Sequence, residues 1–90
     1  MNRENEELLE FPCDFIFKAM GINDDAQNFT AAVHKAVSEV TPVSRDSMKE
    51  KLSSKGHYVS VSVVVRVVDW PQVHAIYARL REVEGLKYLL

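Results

Sequence analysis

The chain has 90 residues, 47% of them hydrophobic, with 13 acidic against 11 basic side chains and a net charge of -2. Such a length suits one core and not two, the charge argues against a general nucleic-acid or anionic-membrane binder, and the single cysteine, Cys13, excludes an internal disulfide framework or a cysteine-based zinc site. No apolar run approaches the roughly 20 residues that span a bilayer and the amino terminus is acidic, so a soluble, unprocessed cytoplasmic protein is expected.

Residues 1–10 form an acidic, partly flexible segment, with Glu4, Glu6, Glu7 and Glu10 against Arg3, which Leu8, Leu9 and Phe11 tie down. Residues 11–90 form the single domain. Pro12 stops any helix and holds Phe11 extended, leading into a strand over Asp14 to Met20 that Gly21 ends. Phe15, Phe17 and Ala19 alternate with Ile16, Lys18 and Met20, and the lysine assigns the second set to the wetter side. Asp24, with Gln27 three residues on, predicts a capping-box helix start, and Ala26, Phe29, Val33, Ala36, Val37 and Val40 recur at helical spacing until Thr41-Pro42 closes about four turns.

A loop over Val43 to Ser47 precedes a short strand, Met48 to Ser54, whose charges on both sides suit a sheet edge. Ser54-Lys55-Gly56 turns the chain, with Gly56 free to take positive φ. The organising element follows: Val59, Val61, Val63, Val65 and Val67 alternate with Ser60, Ser62, Val64 and Arg66 in a long, central, two-faced strand. Asp69 and Gln72 repeat the capping pattern, with Pro71 in the first turn, and Val73, Ile76, Tyr77, Leu80 and Val83 give the apolar stripe. Gly85 is the left-handed residue after the helix, and a last strand over Leu86 to Leu90 is expected to turn Leu86, Tyr88 and Leu90 inward. The order predicts an α+β, ferredoxin-like βαββαβ sandwich: a four-stranded antiparallel sheet, first and third strands central, with two helices on one face.

That fold hosts unrelated functions, so function has to come from residues. RNA recognition needs stacking aromatics on the open faces of the two central strands, and only Tyr58 is placed to stack. A metal carrier needs paired cysteines in the loop after the first strand, which has none. A phosphate-cradling enzyme loop needs an arginine there, and Asp24 and Asp25 would repel phosphate instead. His34, His57 and His74 have no ligand-spaced partner and are read as surface residues; Cys13 and Trp70 are read as packing residues. No nucleophile, base and orienting group assemble, so no enzyme, cofactor or metal site is expected. What remains is the open sheet face, where Lys18, Tyr58, Ser60, Ser62 and Arg66 gather beside Ile16 and Val64, a mixture that suits a protein partner or a homodimer.

Leu8-Leu9-Glu10-Phe11-Pro12, Phe15-Ile16-Phe17-Lys18-Ala19-Met20-Gly21, Ser53-Ser54-Lys55-Gly56-His57-Tyr58-Val59-Ser60-Val61 and the closing Tyr88-Leu89-Leu90, in this order, resemble the YbeD-like family of small bacterial proteins of unknown function. Ala19 and Tyr88 depart mildly from that family's pattern. Its fold is similar to ACT regulatory domains, and the resemblance implies a cytoplasmic regulatory or adaptor role without a reaction. In ACT domains an effector often sits by the loop after the first strand, which here is Gly21, Ile22 and Asn23. Two functions are therefore expected: an interaction module acting through the open face, or a sensor of an amino acid or similar metabolite at that loop.

Overall fold

The computed structural model describes residues 9–90; the acidic stretch 1–8, with Leu8 as an anchor, lies outside the described residues. The elements run β1 (Cys13–Ile22), α1 (Phe29–Ser38), a single 3₁₀ turn (Arg45–Ser47), β2 (Met48–Leu52), β3 (Tyr58–Val67), α2 (Trp70–Arg81) and β4 (Leu86–Leu89). They form one four-stranded sheet in the order β2-β3-β1-β4, antiparallel throughout. This is the ferredoxin-like arrangement, with β1 and β3 central.

The valine alternation explains where the core sits. Val59, Val61, Val63, Val65 and Val67 are all buried, together with Phe17 and Ala19 of β1, Phe29, Val33, Ala36 and Val37 of α1, and Val73, Ile76 and Leu80 of α2. Each buried valine, leucine, isoleucine or phenylalanine side chain contributes about 1.5–3 kcal/mol. An aromatic group closes one end: Trp70 meets Phe11 edge to face at 5.4 Å and Phe15 at 6.3 Å, while Tyr77 meets Phe17 at 5.0 Å. Cys13 and Trp70 are half-buried against this core, as packing residues.

The end of β1, the start of the first helix and the register of β4 depart from what the sequence predicts, and β2 stops at Leu52 rather than Ser54. Gly21 does not end β1; the strand runs through it to Ile22, pairing with both β3 and β4. A Cβ at Gly21 would lie 2.3 Å from the Phe29 ring, so glycine is there to let that ring seat on the strand. The first helix starts later than Asp24. Asp24 instead heads a turn, accepting from the Ala26 and Gln27 amides, and Asn28 caps α1 through the Ala31 amide at 3.1 Å. Ala26 is consequently exposed and outside the helix. The turn places Phe29, the first residue of α1, with its ring against Gly21.

The third departure is in β4. Gly21 pairs with Leu86 and Met20 with Tyr88, so Lys87 is an extra residue opposite the Met20–Gly21 step. Such a bulge shifts the alternation by one. Leu86 and Leu89 pack against the core, whereas Tyr88 and Leu90, expected inward, stand 67% and 72% exposed on the open face. By contrast, the second helix begins as predicted. Asp69 accepts from the Gln72 amide at 2.9 Å, and Gln72 reaches back to the Val68 amide at 2.8 Å. Gly56 and Gly85 both take positive φ, +74° and +86°.

Candidate functional site

The open face is built by strand register. Lys18 of β1 lies opposite Ser62 of β3, and Ser62 opposite Lys49 of β2; one row along, Met20 lies opposite Ser60, and Ser60 opposite Lys51. On the other flank Tyr88 pairs with Met20, and Leu90 exchanges both backbone hydrogen bonds with Lys18, at 3.2 and 2.8 Å. Two parallel rows result: Leu90, Lys18, Ser62, Lys49 and Tyr88, Met20, Ser60, Lys51. Ser60 and Ser62 are short, so the floor between the side chains of β1 and β2 is low. A depression of about 590 Å³ lies over it, lined by Lys18, Met20, Lys49, Lys51, Leu52 and Tyr58 together with Glu50 and Ser53.

The groove carries three lysines, Lys18, Lys49 and Lys51, against one acid, Glu50. Lys18, Lys49 and Lys51 are exposed and, among the described residues, none makes an ion pair with a carboxylate. Glu50 stands between two of them in sequence but sits opposite Val61, a core position, and its carboxylate accepts from the Thr30 hydroxyl on the helix side. Alternation thus turns the Glu50 carboxylate toward Thr30 while the residue still borders the groove, and the lysines stay on the open face. Towards the far end, Ile16 and Val64 form an exposed aliphatic pair, 63% and 40% accessible. Beyond them Arg66 pairs with Asp14 at 3.5 Å, both side chains about two-thirds exposed. A pair so wet contributes at most about 1 kcal/mol, but it partly neutralises the Arg66 charge.

The expected face residues therefore share one surface without sharing one role. Lys18, Ser60 and Ser62 are at its centre. Tyr58 is at its margin, opposite Ile22 and tied to Ser53, whose hydroxyl accepts from the Tyr58 amide at 3.1 Å. Arg66 is at the opposite end with a carboxylate partner. Lys49, Lys51, Met20, Tyr88 and Leu90 belong to the same surface and are missing from the sequence-based set. Counting back through the Gly56 turn would have placed both β2 lysines beside the serines; the β4 bulge leaves no such signal.

Gly21, Ile22 and Asn23 are differently disposed. Gly21 is covered by Phe29, Ile22 is an exposed strand residue, and Asn23 binds the hairpin, its side-chain amide donating to the Gly56 carbonyl at 2.8 Å and its backbone amide to His57 at 2.9 Å. A depression of about 220 Å³ beside Asn23 is rimmed by Asp24, Asp25 and Glu50. Among the described residues no three His, Cys, Asp or Glu side chains gather where they could hold a metal ion. His34 is only half-buried and its Nε2 donates to the Val43 carbonyl at 2.9 Å, fixing the loop after α1. No helix among the described residues is long and apolar enough to cross a membrane.

Residues 6–90 match the family described as "Protein of unknown function (DUF493)". The chain is 38% identical over 85 residues to a UPF0250 protein of Idiomarina loihiensis, covering 94% of this chain and 93% of that one. It is 39% identical over 88 residues to a UPF0250 protein of Haemophilus influenzae strain Rd, covering 94% and 89%, and 36% identical over 90 residues to one of Shewanella oneidensis, covering 100% and 99%. The chain belongs to this family of small bacterial proteins, the YbeD-like proteins that its strand and hairpin segments resemble.

Proposed function

We propose that the protein is a non-enzymatic regulatory or interaction module that engages a protein partner through its open sheet face. The supporting observation is the groove over Ser60 and Ser62, with three lysines against one acid, Glu50, on its lining and exposed Ile16, Val64, Tyr88 and Leu90 around it. Exposed apolar surface interleaved with unpaired charge suits a partner contact, because the apolar part supplies burial and the charge selects the partner. The half-buried lone thiol of Cys13 fits a reducing, cytoplasmic setting. An effector sensor at Gly21, Ile22 and Asn23 has less support, since Phe29 covers Gly21 and the Asn23 amide is already spent on Gly56.

The test is site-specific photocrosslinking in the native host. A photoreactive residue at Ser62 should give a discrete protein adduct, and the same residue at Lys35, exposed on α1 and remote from the groove, should give none. Equal labelling from both positions, or none from Ser62, overturns the reading.

A further inference from the structure

We propose that the groove takes an acidic, extended segment of a partner protein, with carboxylates at every second residue; this rests on the open face being the interaction surface. The groove runs along the strands, with Lys49 and Lys51 on one wall and Lys18 and Met20 on the other. Residues two apart in an extended chain are about 6.7 Å apart. That is also the spacing of Lys49 and Lys51 along β2, so a strand laid in the groove sets its alternate side chains against both lysines in register. Its intervening side chains then point to the opposite wall, where Met20 offers apolar contact and Lys18 a further charge, with Tyr88 and Leu90 of β4 exposed beyond that wall. The low serine floor leaves room for a backbone and offers hydroxyls to it.

Two other occupants fit less well. A second copy packed face to face would set Lys18, Lys49 and Lys51 against the same three lysines about a two-fold axis, and like charges across an interface oppose it. A single-stranded RNA would find the charge but not the rings: Tyr58 and Tyr88 stand at the margins, and the central positions are serines, lysine and methionine.

The experiment uses the full chain and a short fluorescein-labelled peptide, Glu-Leu-Glu-Leu-Glu between Gly-Ser ends, followed by fluorescence anisotropy. Its Lys-Leu counterpart and an oligouridylate of equal charge serve as competitors, and sedimentation reports self-association. The acidic peptide should bind, more weakly as salt is raised because exposed charges are screened within about 8 Å at physiological ionic strength. Lys49→Glu with Lys51→Glu should weaken binding by about tenfold or more, and Lys49→Gln with Lys51→Gln by less, while Lys35→Glu changes nothing. Circular dichroism on each variant separates loss of binding from loss of fold. Tighter binding of the oligouridylate, dimerisation that blocks the groove, or peptide binding indifferent to the lysine changes overturns the proposal. If the peptide fails while the Ser62 crosslink persists, the acidic segment is wrong and the open face stands; if both fail, both readings fall.

Discussion

At Gly21 the constraint is space. The Phe29 ring lies where a Cβ would be, 2.3 Å from its ideal position, and a ring wedged between strand and helix cannot retreat freely. Gly21→Ala should therefore cost about 1–3 kcal/mol, measured by urea unfolding, and should cost less in a Phe29→Leu background, where the smaller side chain leaves room. Tyr77 is constrained by burial. Burial raises its phenol above the ordinary value of 10.0, against a smaller lowering by Arg81, whose guanidinium lies 5.9 Å from the ring centre. The folded state thus holds the phenol proton more tightly than the unfolded chain does. The associated stability is complete below about pH 10 and is lost as pH rises through the higher folded value. Tyr77→Phe should flatten the fall in unfolding free energy above pH 10, and an equally steep fall in that variant would remove Tyr77 as its source.

At the scale of the element, β4 shows how one extra residue redistributes side chains. An unbroken alternation opposite β1 would turn Leu86, Tyr88 and Leu90 inward; the bulge at Lys87 packs Leu86 and Leu89 against the core instead and delivers Tyr88 and Leu90 to the open face. Leu89→Ala should accordingly destabilise by about 2 kcal/mol, near the lower end for a core leucine because it is only partly buried. Tyr88→Ala should stay within about 0.5 kcal/mol, as surface positions do. The opposite order in denaturant unfolding would mean an unbulged strand. The two helix starts make a related point. Asp24 and Asp69 each stand three residues before a glutamine, yet only Asp69 caps a helix; Asp24 heads a turn instead, after which the Phe29 ring lies against Gly21.

Across the whole molecule, the sheet separates charge by side. Glu50 borders the groove but turns its carboxylate to Thr30, while Lys18, Lys49 and Lys51 share the open face. Reversing Lys49 and Lys51 removes no buried contact, so unfolding free energy should stay within about 0.5 kcal/mol for each exposed change, and a larger loss in thermal unfolding would mean that these lysines hold the fold together. Element order, the central valine strand, the edge position of β2 and the two positive-φ glycines were legible in the sequence. Alternation of period two, turn chemistry and capping are local, and each is written in a few neighbouring residues. Lys18, Ser60 and Ser62 were legible as face residues for the same reason. The β4 bulge, the seat of Phe29 on Gly21, the Asp14 partner of Arg66 and the grouping of three lysines were decided by tertiary structure. Each depends on which residue of a distant strand or helix lies opposite, and that register is set when the sheet closes around the valine core.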